Sequence, residues 1–118
     1  MTTTILTAIA PGELIDKITI LRIKSERIAD EAKLKNVRTE LAVLNETLEK
    51  DVPASDELSR LDAALQAVNE ELWVIEDDIR DCERAGDFGD EFIRLARAVY
   101  VTNHKRSATK KGTNLRLA

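Results

Sequence analysis

Polar residues near the C-terminus stand where a helix would otherwise be apolar, in the stretch RLARAVYVTNHKR. At about 100° per residue, Asn103 and Arg106 fall on the same helical stripe as Phe92 and Val99, and Tyr100 lies at its edge. An isolated buried charge is very costly, so these side chains need partners. They could bind an anion, or they could join neighbouring helices.

A second polar series flanks the apolar stripe of the preceding predicted helix. Asn69, Glu76 and Glu83 recur every seven residues. Arg80 lies four residues after Glu76 and three before Glu83, so it can reach either carboxylate. In an antiparallel hairpin of the two helices, Asn69 would lie near Arg106. The favoured interpretation is a network of salt bridges and hydrogen bonds that fixes the register of the helices.

The alternative interpretation is a pocket for a small anion. Residues 92–118 carry seven basic groups and no acidic one. Glu76 would orient the ligand or act as an acid in such a pocket. The residues predicted to bind the anion are Arg80, Arg97, Tyr100, Asn103 and Arg106. The sequence assigns no catalytic residue and leaves open whether the protein is an enzyme.

Composition and charge narrow the functional classes. The net charge is −4, and the seven acidic groups of residues 70–83 can neutralise the basic C-terminal third, which argues against nucleic-acid binding. The single cysteine, Cys82, cannot form an internal disulfide and suits a reducing compartment. No cofactor or metal motif is present. Without signal-peptide features or an apolar run of roughly 20 residues, the chain is expected to be cytoplasmic.

The spacing of apolar residues predicts an all-α protein of one domain. Residues 1–11 are expected to form an extended arm and 107–118 a flexible basic tail. A break or a bend is expected near Ala29–Lys33, where the apolar spacing shifts by one residue and Asp30 can cap the second segment, and the two segments are predicted to form one long, bent first helix. Ser55 or Asp56 should begin the next helix, which ends at Gly86. The expected fold is a three-helix bundle in which the bent helix packs with an antiparallel hairpin.

The start of the first helix predicts self-association. In ELIDKITILRI, Leu14, Ile18 and Leu21 already fill one apolar stripe, and Ile20 and Ile23 lie well round the cylinder. The N-terminal arm or a second subunit would have to cover them. We therefore expect a homodimer through Ile20 and Ile23.

Three blocks together resemble a known family: PGELIDKITILRIKSERI, KLKNVRTEL and LWVIEDDIR…FIRLARAVYVTNHKR. The family comprises small bacterial and phage helical domains of unknown function, associated with glycosyltransferase and surface-polysaccharide gene neighbourhoods. The family pattern has Asp at the position of His104 and Pro at that of Glu31. The ELIDKI opening is also similar to that of helical chorismate mutases, which bind a dianion through Arg and Lys. The resemblance to the bacterial and phage domains implies a helical fold and brings no established activity, and the likeness to chorismate mutases is an analogy only.

The functional expectation has two forms. The first is a non-enzymatic interaction or structural module that self-associates. The second is a binding site or enzyme for a small anionic metabolite at the arginine cluster described above.

Overall fold

Four α-helices make up the part of the chain described by the computed structural model, which covers residues 5–117, with side chains as far as Asn114. They are α1 (Pro11–Arg27), α2 (Glu31–Asp51), α3 (Asp56–Ala85) and α4 (Asp90–Leu117). The prediction of an all-α fold is confirmed. The prediction of three helices with one long, bent first helix is wrong, because the chain breaks completely between α1 and α2.

The break lies at the predicted phase shift in the apolar spacing. Ile28 leaves the helix with extended backbone angles, φ −82° and ψ 131°. Asp30 then caps α2 by accepting a hydrogen bond from the Lys33 N–H at 3.0 Å. Because only three residues separate the helices, α2 folds back along α1. Among the described residues α2 contacts α1 but neither α3 nor α4.

The predicted antiparallel hairpin is formed by α3 and α4. The Ser55 hydroxyl caps α3 through the Leu58 N–H at 3.0 Å. Gly86 ends the helix in the left-handed region, at φ 68° and ψ 22°, which a glycine adopts without strain. The segment expected to be a flexible tail is instead helical as far as Leu117, and its Thr113 is fully buried.

Helix α1 is the centre of the molecule, because it contacts all three other helices. Ile15, Ile18 and Ile23 are each 1% exposed. This central position explains why α1 is apolar on more than one side. It also corrects the expected role of Ile23, which is covered within the chain and cannot present a surface to a second subunit. Ile20 is only partly buried.

Over its described residues, 5–10, the N-terminal arm does not supply that cover. Residues 5–9 are exposed and residues 5–10 have no regular secondary structure. The first four residues of the predicted arm lie outside the described part of the chain.

Candidate functional site

A buried carboxylate, that of Asp16 in α1, joins three helices. Its side chain is only 4% exposed. Arg106 of α4 donates to it from both Nε, at 2.9 Å, and Nη2. Asn69 of α3 donates to the Asp16 Oδ1 at 2.9 Å and to the Thr19 hydroxyl at 2.8 Å. The Thr19 hydroxyl in turn donates to the backbone carbonyl of Asp16 at 2.8 Å.

The hydrogen bonds to Asp16 keep its carboxyl ionised. Burial alone would raise the pKa of Asp16, but hydrogen bonds from Arg106 and Asn69 outweigh that effect and leave the pKa below its ordinary value. The same bond raises the pKa of Arg106. The pair is therefore charged, and among the described residues no buried side-chain nitrogen or oxygen lacks a hydrogen-bond partner, which is the condition for tolerating the pair in the interior.

Further polar contacts extend this network along the line where α1 meets α4. Lys110 pairs with Glu13 at 3.2 Å. The Gly12 N–H donates to the Asn114 side-chain oxygen at 2.6 Å. Along this line the residue numbers decrease on α1 and increase on α4, so the two helices are antiparallel. Their register is fixed by these polar contacts.

Two residues singled out from the sequence, Asn69 and Arg106, meet in this network. They do not bond to each other directly. Each donates to the same oxygen of Asp16. Asp16 itself is the residue that the sequence reasoning missed. The available signal was an acidic residue between Ile15 and Thr19, inside the most apolar segment of the chain.

The other predicted site residues do not gather around one pocket. Arg80 pairs with Asp77 on the exposed side of α3, so its predicted place between Glu76 and Glu83 beside the core is wrong. Arg97 and Glu83 are exposed. Tyr100 is 77% exposed. With the exposed Asn103, it lines a shallow depression on α4 whose other lining residues are Ala96, Val99, His104 and Ser107.

Glu76 lies at a different opening, a cleft of about 190 Å³ beside the buried network. The cleft lies between α1, α3 and α4. Its lining combines apolar side chains with three charged ones and is formed by Ile20, Ile23, Lys24, Asn69, Leu72, Trp73, Glu76 and Arg106.

The remaining candidate for chemistry, Cys82, is not activated. Partial burial is the largest cause of a raised pKa of its thiol. The nearby carboxylates of Asp87, Glu91, Asp78 and Asp81 raise this pKa further. A raised pKa disfavours the thiolate, which is the nucleophilic form. Within the described residues no group of three or more His, Cys, Asp or Glu side chains could hold a metal ion.

Comparisons with protein-family models, with curated proteins and with solved structures found no match for this chain. The resemblance to the bacterial and phage helical domains therefore stays a prediction. Over the described residues, no helix is both long enough and apolar enough to cross a membrane.

Proposed function

We propose that this chain is a helical interaction module that self-associates through the outer face of α4. The observation that carries the proposal is an exposed row of large apolar side chains on that helix. Ile93 is 55% exposed and Tyr100 77%, and Val101, about a quarter turn away round the helix, is 56% exposed. Such side chains on one helix face are a common feature of protein contact surfaces.

The size of the exposed surface supports a partner. A compact monomer of 13.2 kDa has an accessible area of about 6,400 Å². The chain exposes 8267 Å². The chain therefore exposes roughly 1,900 Å² more than a compact monomer would, and the exposed arm accounts for part of this excess. The excess is larger than the area of about 800 Å² that each partner buries in a standard interface. The radius of gyration, 16.3 Å, also exceeds the value of about 13.5 Å for a compact domain of this length.

The pattern along α4 is suited to a second copy of the same chain. Ile93, Tyr100 and His104 lie within about 40° of one another on the helix surface. A two-fold axis between Tyr100 and Val101 would place antiparallel copies of α4 side by side. Each Ile93 would then oppose the small side chain of the partner subunit's Ala108.

The same pairing would match charges at both ends of the contact. Asp90 begins α4, and Lys111 lies near its C-terminal end on the face of Ile93. In the two-fold arrangement Asp90 opposes the partner subunit's Lys111, and the reverse contact repeats at the other end. In a parallel arrangement the like-charged ends of α4 would face each other. The charge pattern therefore disfavours the parallel arrangement.

Light scattering tests the proposal directly. The unmodified protein should change from a mass of about 26 kDa at high micromolar concentration towards 13.2 kDa on about hundredfold dilution. Ile93→Glu should remain monomeric throughout, because a charge would replace an apolar contact at the interface. The matched control is Val43→Glu on α2, because Val43 is 56% exposed and lies away from α4.

The unmodified protein tests self-association itself, and the two variants test whether α4 forms the contact. A strictly monomeric unmodified protein over the whole range contradicts self-association. A dimer that survives Ile93→Glu but is lost in Val43→Glu contradicts the α4 surface and places the contact on α2 instead.

A further inference from the structure

We propose that the cleft beside the buried network binds a small aliphatic α-amino acid, a role that goes beyond self-association. Three kinds of group line the cleft. Ile20, Leu72 and Trp73 form its apolar part, Lys24 and Arg106 supply positive charge, and Glu76 supplies negative charge. An amino acid carries the complementary set: an apolar side chain, a carboxylate and an ammonium group.

Arg106 is held in one orientation and can bind the carboxylate of the ligand. Its Nε and Nη2 edge is occupied by Asp16, which holds the guanidinium in one orientation. Nη1 donates no hydrogen bond within the described residues, so both of its N–H groups remain for a ligand. A guanidinium fixed in this way binds a carboxylate with little further loss of side-chain freedom. Lys24, at the same cleft, makes no ion pair with any described residue and adds positive charge.

The side-chain oxygens of Asn69 and Glu76 can accept hydrogen bonds from the ammonium group of the ligand. Both N–H groups of the Asn69 amide are used by Asp16 and Thr19. Its Oδ1 accepts no hydrogen bond within the described part of the chain, although the residue is only 5% exposed and lines the cleft. The exposed Glu76 carboxylate also accepts none from the described residues. An ammonium group has three N–H donors, enough to bond to both oxygens.

The size of the cleft limits the ligand. Drug-sized ligands occupy pockets of about 300 Å³ or more, whereas a cavity of about 150 Å³ holds benzene. The cleft, at about 190 Å³, is therefore suited to a molecule slightly larger than benzene. L-leucine has this size, and its branched side chain would pack against Trp73 and its apolar neighbours.

Trp73 makes the test specific to the cleft, because it is the only tryptophan in the protein. We would titrate the full-length protein with L-leucine and follow tryptophan fluorescence. Three analogues each lack one part of the ligand: 4-methylpentanoate the ammonium group, 3-methylbutylamine the carboxylate, and glycine the apolar side chain. We expect a saturable change with L-leucine and at least about tenfold weaker binding of each analogue.

Two variants on α3 test the role assigned to Glu76. Glu76→Gln should weaken the binding of L-leucine by about tenfold. It should not weaken that of 4-methylpentanoate, because this anion is repelled rather than attracted by the Glu76 carboxylate. Glu83→Gln is the matched control, because Glu83 is equally an exposed glutamate of α3 but lies outside the cleft. Both residues are exposed, so both variants should fold.

Two results would overturn the proposal. One is the absence of a saturable fluorescence change with L-leucine up to about 20 mM, which corresponds to binding too weak to be specific. The other is equal binding of L-leucine and 4-methylpentanoate together with no effect of Glu76→Gln, which would make the cleft a general carboxylate site.

Discussion

Replacing Asp16 by leucine should destabilise the protein far more than a comparable change at its surface. Among the described residues, Asp16 is the one carboxylate that forms an ion pair with Arg106, and the substitution removes it. It also takes an acceptor away from Asn69. Removal of one member of a buried ion pair typically costs about 3–5 kcal/mol. Because the Arg106 side chain remains 27% exposed, we expect the lower end of this range, about 3 kcal/mol.

The assay is urea denaturation followed by circular dichroism, with thermal melting as a second measure. For a chain of this length, about 3 kcal/mol corresponds to a decrease in Tm of about 12 °C. The matched control is Asp77→Leu, which removes the partner of Arg80. Both side chains of that pair are about half exposed, so the control should lose less than about 1 kcal/mol.

A second substitution separates the loss of a pair from the loss of packing. In the double variant Asp16→Leu with Arg106→Met, no unpaired charge remains in the interior, so stability should recover towards that of the unmodified protein. Our assignment of Asp16 as a buried structural carboxylate would be refuted by a single variant no less stable than the Asp77→Leu control. A double variant less stable than the single one would show that the cost lies in packing rather than in charge.

Local features of the fold could be predicted from the sequence because their causes are local. Asp30, Ser55 and Gly86 each stand at a helix end, and the backbone geometry that they favour does not depend on distant residues. The phase shift in apolar spacing located the end of α1 in the same way. It could not give the angle between the helices, since a one-residue shift fits a bend as well as a reversal.

The central position of α1 could not be predicted from its own residues. Apolar side chains on several faces show that a helix is covered on several sides, but they do not show by what. The pattern of α1 fits cover by the arm and a second subunit as well as cover by α2, α3 and α4, which contact it in the structure. The helices that cover α1 bury Ile23 within the chain. They also supply the partners of Asp16, which the residues of α1 alone do not reveal.

The partner of Arg80 shows a further limit. Glu76, Asp77 and Glu83 all lie three or four residues from it, so helical spacing allows three pairs of similar small energy. In the folded chain Arg80 pairs with Asp77, although Glu76 and Glu83 are exposed as well, so helical spacing alone does not select the partner. By contrast, the hairpin turn fixes which residues of α3 and α4 lie opposite each other, so the sequence predicts that Asn69 lies near Arg106. In the structure the two meet at the carboxylate of Asp16.

Two further predictions follow from the contacts of α1. As its pKa is below the ordinary value, Asp16 should contribute stability that is complete above about pH 4 and is lost as the pH falls through the lowered pKa. Urea melts across this range should show a weaker acid dependence in Asp16→Asn. The two helical glycines, Gly12 and Gly112, should respond in opposite ways to alanine. At Gly12 the added Cβ would lie 2.6 Å from both the Asn114 side-chain oxygen and the Lys110 carbonyl, so α1 and α4 must move apart and stability must fall. At Gly112 nothing lies within 4 Å, so alanine should stabilise the helix by about 0.5–1 kcal/mol. If Gly12→Ala raised the Tm as Gly112→Ala should, the close contact of α1 with α4 would not exist in solution.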